Sequence, residues 1–315
     1  MVAKRKEGNK TVERFIKIPE NDTKKLLTPF QRQIEVVNYI KEKGIMNTRG
    51  IVVFNYNPNK GIPFVVMETL PAGHSKIGFI EGNKSVELLG AKEAERTIDQ
   101  LKKFHSISIK SLQSNLKKIL KTYLGDYKSF KQEVFRYLNK KVKALDGKGK
   151  SESFYTVLEH RLVINDLKNK TKELLEQLEP IIDAKENRES SIVHGDMAPN
   201  NLYVFDSGDV ELLDLEWVGT FKNKAIAMIL DFGNLRARSW GNKKFREALD
   251  SALIKAYCLK GKENLGKVIV KLSILRSLIH LSGFFENYDQ AKQKDKIQTR
   301  RRNSTEQDLV QIFKK

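Results

Sequence analysis

The sequence predicts an α+β protein of two unequal lobes, a small β-rich one followed by a larger, mostly helical one. Three observations carry this expectation. Runs of β-forming residues separated by turn signals fill the stretch 1–70. Apolar residues recur at helical spacing from about residue 88 to 186 and again from 222 to 288. Between those helical stretches β signals return over residues 191–214, and acidic residues gather there. At 315 residues, 40% hydrophobic and 31% charged with only 7 prolines, the chain has a globular composition, not a disordered one.

The elements follow in order. Residues 1–6, the turn EGNK and the run TVERFIKIP read as strand, turn, strand; Val12, Phe15, Ile16 and Ile18 are the β-formers, and Pro19 ends the run. Thr28-Pro29 is read as the opening of an amphipathic helix carrying Ile34, Val37 and Ile40, with Gly44 as its stop. Residues 50–55 and 63–68 are two further β runs on either side of the turn NPNKG. One helical stripe then runs through Ala91, Ala94, Ile98, Leu101 and Phe104. A second takes Leu112, Leu116, Ile119 and Leu120, and a third Leu167, Leu174, Leu175, Leu178 and Ile181–Ile182. The stretch 146–153 reads as a loop. Three short strands are expected at 191–194, 202–205 and 210–214, the last two joined by the turn Ser207-Gly208-Asp209. The resulting division is an N-terminal lobe over 1–70, a helical lobe over 71–290 and a polar, basic tail over 291–315, with a short helix expected at 304–313.

Composition excludes several classes. A single cysteine, Cys258, allows no intramolecular disulfide framework and no Cys-rich zinc module. No stretch approaches the roughly 18 apolar residues of a membrane span. The start MVAKRKEGNK has no apolar segment behind its charges, so the expectation is a cytoplasmic protein with no membrane partner. The formal net charge of +19 invites a nucleic-acid reading, supported by the RRR at 300–302. That reading predicts steeply salt-dependent binding to RNA or DNA. Lysine dominates, however, with 43 Lys against 15 Arg, whereas readers of phosphate and base edges lean on arginine. The excess also sits elsewhere than the chemistry: residues 191–290 carry 13 basic and 12 acidic side chains. No Lys or Arg occurs between Arg188 and Lys222, a window that holds Asp196, Asp206, Asp209, Glu211, Asp214 and Glu216. An acidic island in a basic chain is where a divalent cation would sit.

Within that window an aspartate at a strand end, Asp196, is followed five positions later by an amide, Asn201. A strand–turn–strand unit then brings a second aspartate, Asp214. Phosphoryl transfer needs one carboxylate to accept the proton of the attacking hydroxyl, and oxygen ligands to hold Mg²⁺ against the β- and γ-phosphates. Asp196 fits the first role, and Asn201 with Asp214 fits the second. A β-hairpin whose Asp and Asn residues only make turns is the structural alternative.

His194-Gly195-Asp196 through Asn201, followed by Asp214-Leu215-Glu216, resembles the H-G-D-x-x-x-x-N and D-x-E/D motifs of the aminoglycoside phosphotransferase and choline kinase-like family. The resemblance implies a protein kinase-like fold with ATP and Mg²⁺ as cofactors. It makes Asp196 the base and Asn201, Asp214 and Glu216 the metal-side residues, with His194 as support. It places Lys17 where the family grips the α/β-phosphates and Glu35, on the next helix, as its ion-pair partner. Backbone groups around Glu68, Thr69 and Leu70 then hold the adenine. The helix ending LKKFHSI is similar to the family's A-x-x-L-x-x-L-H helix, which makes His105 structural. Asp231, in an apparent D-F-G, lies too far past Asp196 for the metal aspartate of a protein kinase, a place that Asp214 already takes. It resembles the family's later aspartate that braces the catalytic loop, not a metal ligand.

Two departures from the pattern stand out. Only Met1 to Ile16 precede Lys17, with one glycine among them, Gly8. That suffices for the second strand of such a lobe but not for its first strand and Gly-rich loop, so either the chain begins inside a longer reading frame or it binds nucleotide without that lid. Ala198 stands where serine/threonine kinases keep a lysine, and no A-P-E-like segment follows. Both point to a small-molecule hydroxyl acceptor over a protein substrate. A kinase fold retained as a nucleotide-binding scaffold without catalysis is the alternative, and a protein kinase a further one. For cationic acceptors, Glu247, Asp250, Glu263, Glu286 and Asp289 with Trp240, Phe284, Phe285 and Tyr288 are the acidic and aromatic side chains on offer.

Overall fold

The first sheet forms from the β runs expected in the N-terminal lobe: β1 (Val2–Glu7), β2 (Lys10–Lys17), β3 (Ile51–Asn55) and β4 (Phe64–Glu68). A computed structural model describes residues 2–7, 10–18, 23–46, 51–55, 64–68, 75–77, 89–122, 161–183, 188–205, 207–239 and 242–256, with scattered residues of 128–136 and 267–271. The four strands run in the order β1-β2-β4-β3, every pair antiparallel, with Lys17 opposite Val65 and a register shift between Ile51 and Val53. Period-2 alternation is visible on β4, where Val65 and Met67 are buried and Phe64 and Val66 only half so.

Val65 and Met67 meet Phe30 and Ile34 of helix α1 (Thr23–Lys43) in a small core. Each such side chain contributes about 1.5–3 kcal/mol when fully removed from water. Val36, Val37, Tyr39 and Ile40 of the same helix join the main core instead. The helix is therefore apolar on two faces, one for the sheet and one for the C-terminal region. It starts at Thr23, five positions before the expected Thr28-Pro29 opening, so Pro29 lies inside it. A proline there gives up the bond its own N–H would make and crowds the carbonyl four positions earlier, a local cost of about 3 kcal/mol, yet the helix continues through it.

The main core gathers α2 (Ala91–His105), α3 (Ser114–Ile119), α4 (Arg161–Ile182), α5 (Lys224–Arg238) and α6 (Lys243–Ala256) around short strands. Ala94, Ile98, Leu101 and Phe104 form the buried stripe of α2, as their spacing requires. The expected second stripe is not one helix: Leu112 leaves a 3-10 turn (Ile109–Ser111), and only Leu116 is buried within α3. Two three-stranded sheets complete the scaffold. One orders β5 (Ser75–Ile77), β8 (Leu202–Phe205) and β9 (Val210–Leu212); the other orders β6 (Lys121–Thr122), β10 (Gly219–Phe221) and β7 (Ser191–Val193). β8 and β9 are the predicted hairpin, turning through Gly208 at φ 81°. β9 ends at Leu212, short of the expected Asp214, because Asp214 turns out of the strand into the left-handed region. The loop at 146–153, the basic tail and the helix expected at 304–313 lie outside the described residues. Among the described residues no helix is long and apolar enough to cross a membrane.

Candidate active site

Asp196 follows β7 through His194 and Gly195, and its loop is anchored on one buried carboxylate. Asp231 of α5 is fully buried and accepts the backbone N–H of His194 at 2.7 Å and of Gly195 at 2.9 Å. His105 Nε2 lies 2.8 Å from the same carboxylate, and Ser191 Oγ donates to the His105 carbonyl at 2.7 Å. A buried carboxylate needs such donors, and here three from two segments converge on it. Gly195 has φ 83°, a conformation open to glycine and strained for other residues, which accounts for the glycine of His-Gly-Asp.

The His194 ring links the two halves of the acidic window. Its Nε2 lies 2.8 Å from the Leu213 carbonyl, so Nε2 carries the hydrogen, and its Nδ1 faces the Asp196 N–H at 3.4 Å. Asn201, at the end of the 3-10 turn Pro199–Asn201, donates its amide to the Asp196 carbonyl at 2.7 Å. Its own backbone carbonyl accepts the Leu213 N–H at 2.8 Å. Asp196 and Asp214 are thus tied to one framework although the whole hairpin separates them in sequence. The Asp196 carboxylate itself points to Arg238 at the end of α5, with Nη1 2.8 Å from Oδ1.

Beyond β9, Asp214 adopts φ 60°, ψ 57° and leads into a 3-10 turn (Leu215–Trp217). It is the sole non-glycine residue of positive φ among the described residues. Such a conformation costs of order 1–2 kcal/mol and marks a position where geometry outranks comfort. Lys17, at the last position of β2, places its ammonium 2.6 Å from Asp214 Oδ1 and 2.5 Å from Glu216 Oε1. Burial pulls the Lys17 pKa down, but the charges and hydrogen bonds of Asp214 and Glu216 outweigh it, and the pKa stands above the ordinary lysine value. Arg32 of α1 fixes the turn from the other side, donating through Nη1 to the Glu216 carbonyl at 2.5 Å and through Nε to the Ile119 carbonyl at 2.9 Å.

Not every expected pair forms. Glu35 lies on α1, half-buried, and among the described residues no ion pair joins it to Lys17; the lysine goes to Asp214 and Glu216 instead. Glu68 ends β4, exposed, with its carboxylate 3.5 Å from Lys41, while Thr69 and Leu70 lie outside the described residues. Of the carboxylates expected to receive a cationic acceptor, Asp250 is buried in a double contact with Arg236 (2.8 and 3.0 Å), and Glu247 lies 3.7 Å from Lys243. Glu263, Glu286 and Asp289, like Trp240, Phe284, Phe285 and Tyr288, lie outside the described residues. Sequence reasoning misses Arg32 and Arg238. The signal for Arg32 is its place four positions before Val36 on a buried helix face; for Arg238 there is none.

The donor set suits a hard divalent cation. Asp214 and Glu216 bring two carboxylates together on one ammonium, and Asn201, whose backbone carbonyl holds the Leu213 N–H, offers a side-chain amide oxygen. An ammonium already sits between the carboxylates, which is the response expected where two negative charges are held close. Among the described residues no group of three or more His, Cys, Asp or Glu is placed to hold a metal ion, so a metal at this turn would have to rely on two carboxylates plus an amide.

These features define a protein kinase-like fold: a four-stranded sheet and helix ahead of a mostly helical region that carries the Asp196 loop. Similar solved structures include a putative aminoglycoside phosphotransferase from Ralstonia eutropha, at 13% identity and TM-score 0.54, covering 99% of this chain and 92% of that one. Aminoglycoside phosphotransferase APH(2'')-Ib in its ADP-bound form matches at 14% identity and TM-score 0.51, over 99% and 94% of the two chains. An ethanolamine kinase from Plasmodium vivax matches at 11% identity and TM-score 0.51, over 99% and 83%. No family model and no curated protein matches the sequence.

Proposed function

We propose that this chain is an ATP- and Mg²⁺-dependent phosphotransferase that moves the γ-phosphate to a hydroxyl of a small molecule. One observation carries the reading. Lys17 comes from the N-terminal sheet, 197 residues away in sequence, to meet Asp214 and Glu216, which share a hydrogen-bonded framework with Asp196. A phosphate-binding cation, two metal-type carboxylates and a general-base candidate are thereby linked. The names of the fold's neighbours, aminoglycoside phosphotransferases and an ethanolamine kinase, one of them with ADP bound, add support for nucleotide use.

Asp196 would take the proton of the acceptor hydroxyl as its oxygen bonds to the γ-phosphorus and the bond to the ADP oxygen breaks. Asp214, Asn201 and Glu216 would hold Mg²⁺, which neutralises charge on the β- and γ-phosphate oxygens when bound. Lys17 would turn from the carboxylates to the phosphates. The fixed loop around Asp231 would keep Asp196 in place, so that positioning supplies a large share of the acceleration.

The test is Asp196→Asn, a change of almost no volume. Acceptor-dependent ADP release should fall by about 10²–10⁴-fold, the usual contribution of a general base, with affinity for ATP and Mg²⁺ kept. Turnover that survives the substitution refutes the assignment. Nucleotide binding without turnover of any acceptor by the wild-type chain would favour a scaffold.

A further inference from the structure

We propose that Arg238 selects the acceptor, and that the acceptor carries an anionic group, a carboxylate or a phosphate, beside the hydroxyl it presents. The inference rests on the phosphotransferase reading and goes on to name the substrate class. Asp196 lies in the stretch between Arg188 and Lys222, which holds no Lys or Arg, so any cation beside it comes from another element. Of the cations that reach the acidic window, two meet the carboxylates named for the chemistry, at different points. Lys17 takes Asp214 and Glu216, on the nucleotide side, and Arg238 takes Asp196.

The geometry limits what can approach Asp196. A hydroxyl that gives its proton to this carboxylate comes within hydrogen-bond reach of it, and so within a few ångströms of the guanidinium 2.8 Å away. The Arg238 side chain is 42% exposed, and among the described residues it has no partner other than Asp196. A guanidinium offers five donors in a fixed fork, so most remain for a ligand, and the fork matches carboxylate and phosphate oxygens. A choline-like or aminoglycoside-like cation would meet like charge there. Among the described residues, the acidic side chains of α5 and α6 that could offset the repulsion are engaged: Asp231 holds the loop, Asp250 is buried against Arg236, and Glu247 faces Lys243. Arg238 is also not needed to finish α5, since Ser239 closes the helix with its N–H on the Leu235 carbonyl.

The test uses five small hydroxyl compounds: glycerate and glycerol 3-phosphate as anions, glycerol as the neutral reference, ethanolamine and choline as cations. Binding is measured by calorimetry on the full chain with Mg²⁺ and a non-hydrolysable ATP analogue, which requires no turnover. At least one anion should bind about tenfold or more tightly than glycerol, the scale of one charge-assisted contact. Arg238→Gln should erase that preference, Arg238→Lys should restore part of it, and Arg238→Glu should move it toward ethanolamine and choline. Preference for glycerate or for glycerol 3-phosphate identifies the anion as carboxylate or phosphate, and either supports the proposal. In turnover, Arg238→Gln should raise KM for the anionic acceptor with kcat little changed. The proposal is overturned if a cation binds the wild-type chain best, if all five bind equally, or if Arg238→Gln leaves the preference intact. An equal fall in kcat for every acceptor also overturns it, because Arg238 would then only position Asp196. Loss of turnover alone, with anion preference kept in calorimetry, refutes the phosphotransferase reading and not this one.

Discussion

The two ends of the β8–β9 hairpin are held in opposite ways. Ahead of β8, the Asp196 loop rests on hydrogen bonds centred on a fully buried carboxylate, some buried and some part-buried: two backbone N–H groups and His105 on Asp231, and the Asn201 amide on the Asp196 carbonyl. After β9, the segment Asp214–Glu216 is part-exposed, strained at Asp214, and tied to the rest by a lysine and an arginine from the N-terminal lobe. Buried, mutually satisfied bonds resist change. Part-exposed ion pairs are weaker and can exchange partners. The difference fits the proposed phosphotransfer: a base would have to stay still, whereas phosphates and a metal would replace one set of charge partners with another.

The comparison breaks first, and by the largest amount, at Asp231. Replacing Asp231 by Ala strands two buried backbone N–H groups and the His105 ring. With about 1–3 kcal/mol for each unsatisfied buried donor, and some of that shared, the loss should be about 3–5 kcal/mol. Urea unfolding at unchanged m-value measures it. Asp231→Asn keeps one oxygen acceptor and should lose clearly less. A loss below about 1 kcal/mol for Asp231→Ala would mean that the loop is not fixed by this carboxylate.

Lys17→Met should have an intermediate and opposite profile. The ion pairs are part-exposed, so stability should change by less than about 1 kcal/mol. The affinity for ATP with Mg²⁺ should fall by about 10–100-fold, the scale of one or two charge-assisted contacts to phosphate. Equilibrium titration with a fluorescent ATP analogue separates the two numbers. A large stability loss with unchanged nucleotide affinity would make the cluster a structural clamp.

The Asp196 side was legible in the sequence and the Lys17 side only half so, for a physical reason. His194, Asp196, Asn201 and Asp214 belong to one strand–turn–strand unit, so local spacing fixes their relation; periodicity gave the small sheet and the helical stretches, and the motif resemblance gave the kinase-like fold. Lys17 could be placed on its strand, but its partners depend on how a sheet and a helix settle against a turn from the far half of the chain. The expected partner Glu35 is on the right helix and half-buried, yet Arg32, three positions earlier, is the side chain that reaches the turn. Arg238 reads in sequence as an ordinary helix-end cation. Strands β5, β6 and β10 are two or three residues long, too short for alternation to register.

The smallest stability effect is expected at Asp214, and it sharpens the contrast most. Asp214→Gly removes the backbone strain, a gain of about 1–2 kcal/mol. It also gives up a part-exposed ion pair worth about 0–1 kcal/mol and adds freedom to the unfolded chain, about 0.4–1 kcal/mol. The terms nearly cancel, so stability should move by less than about 1 kcal/mol while phosphoryl transfer is lost. Asp214→Asn keeps a residue that tolerates positive φ and removes only the charge, so comparing Gly with Asn isolates the backbone contribution. Urea midpoints for the three proteins, beside ADP release with a productive acceptor, give the answer. If Asp214→Gly destabilises by more than about 2 kcal/mol, the strained turn is a structural keystone like Asp231, and the two ends of the hairpin are built alike.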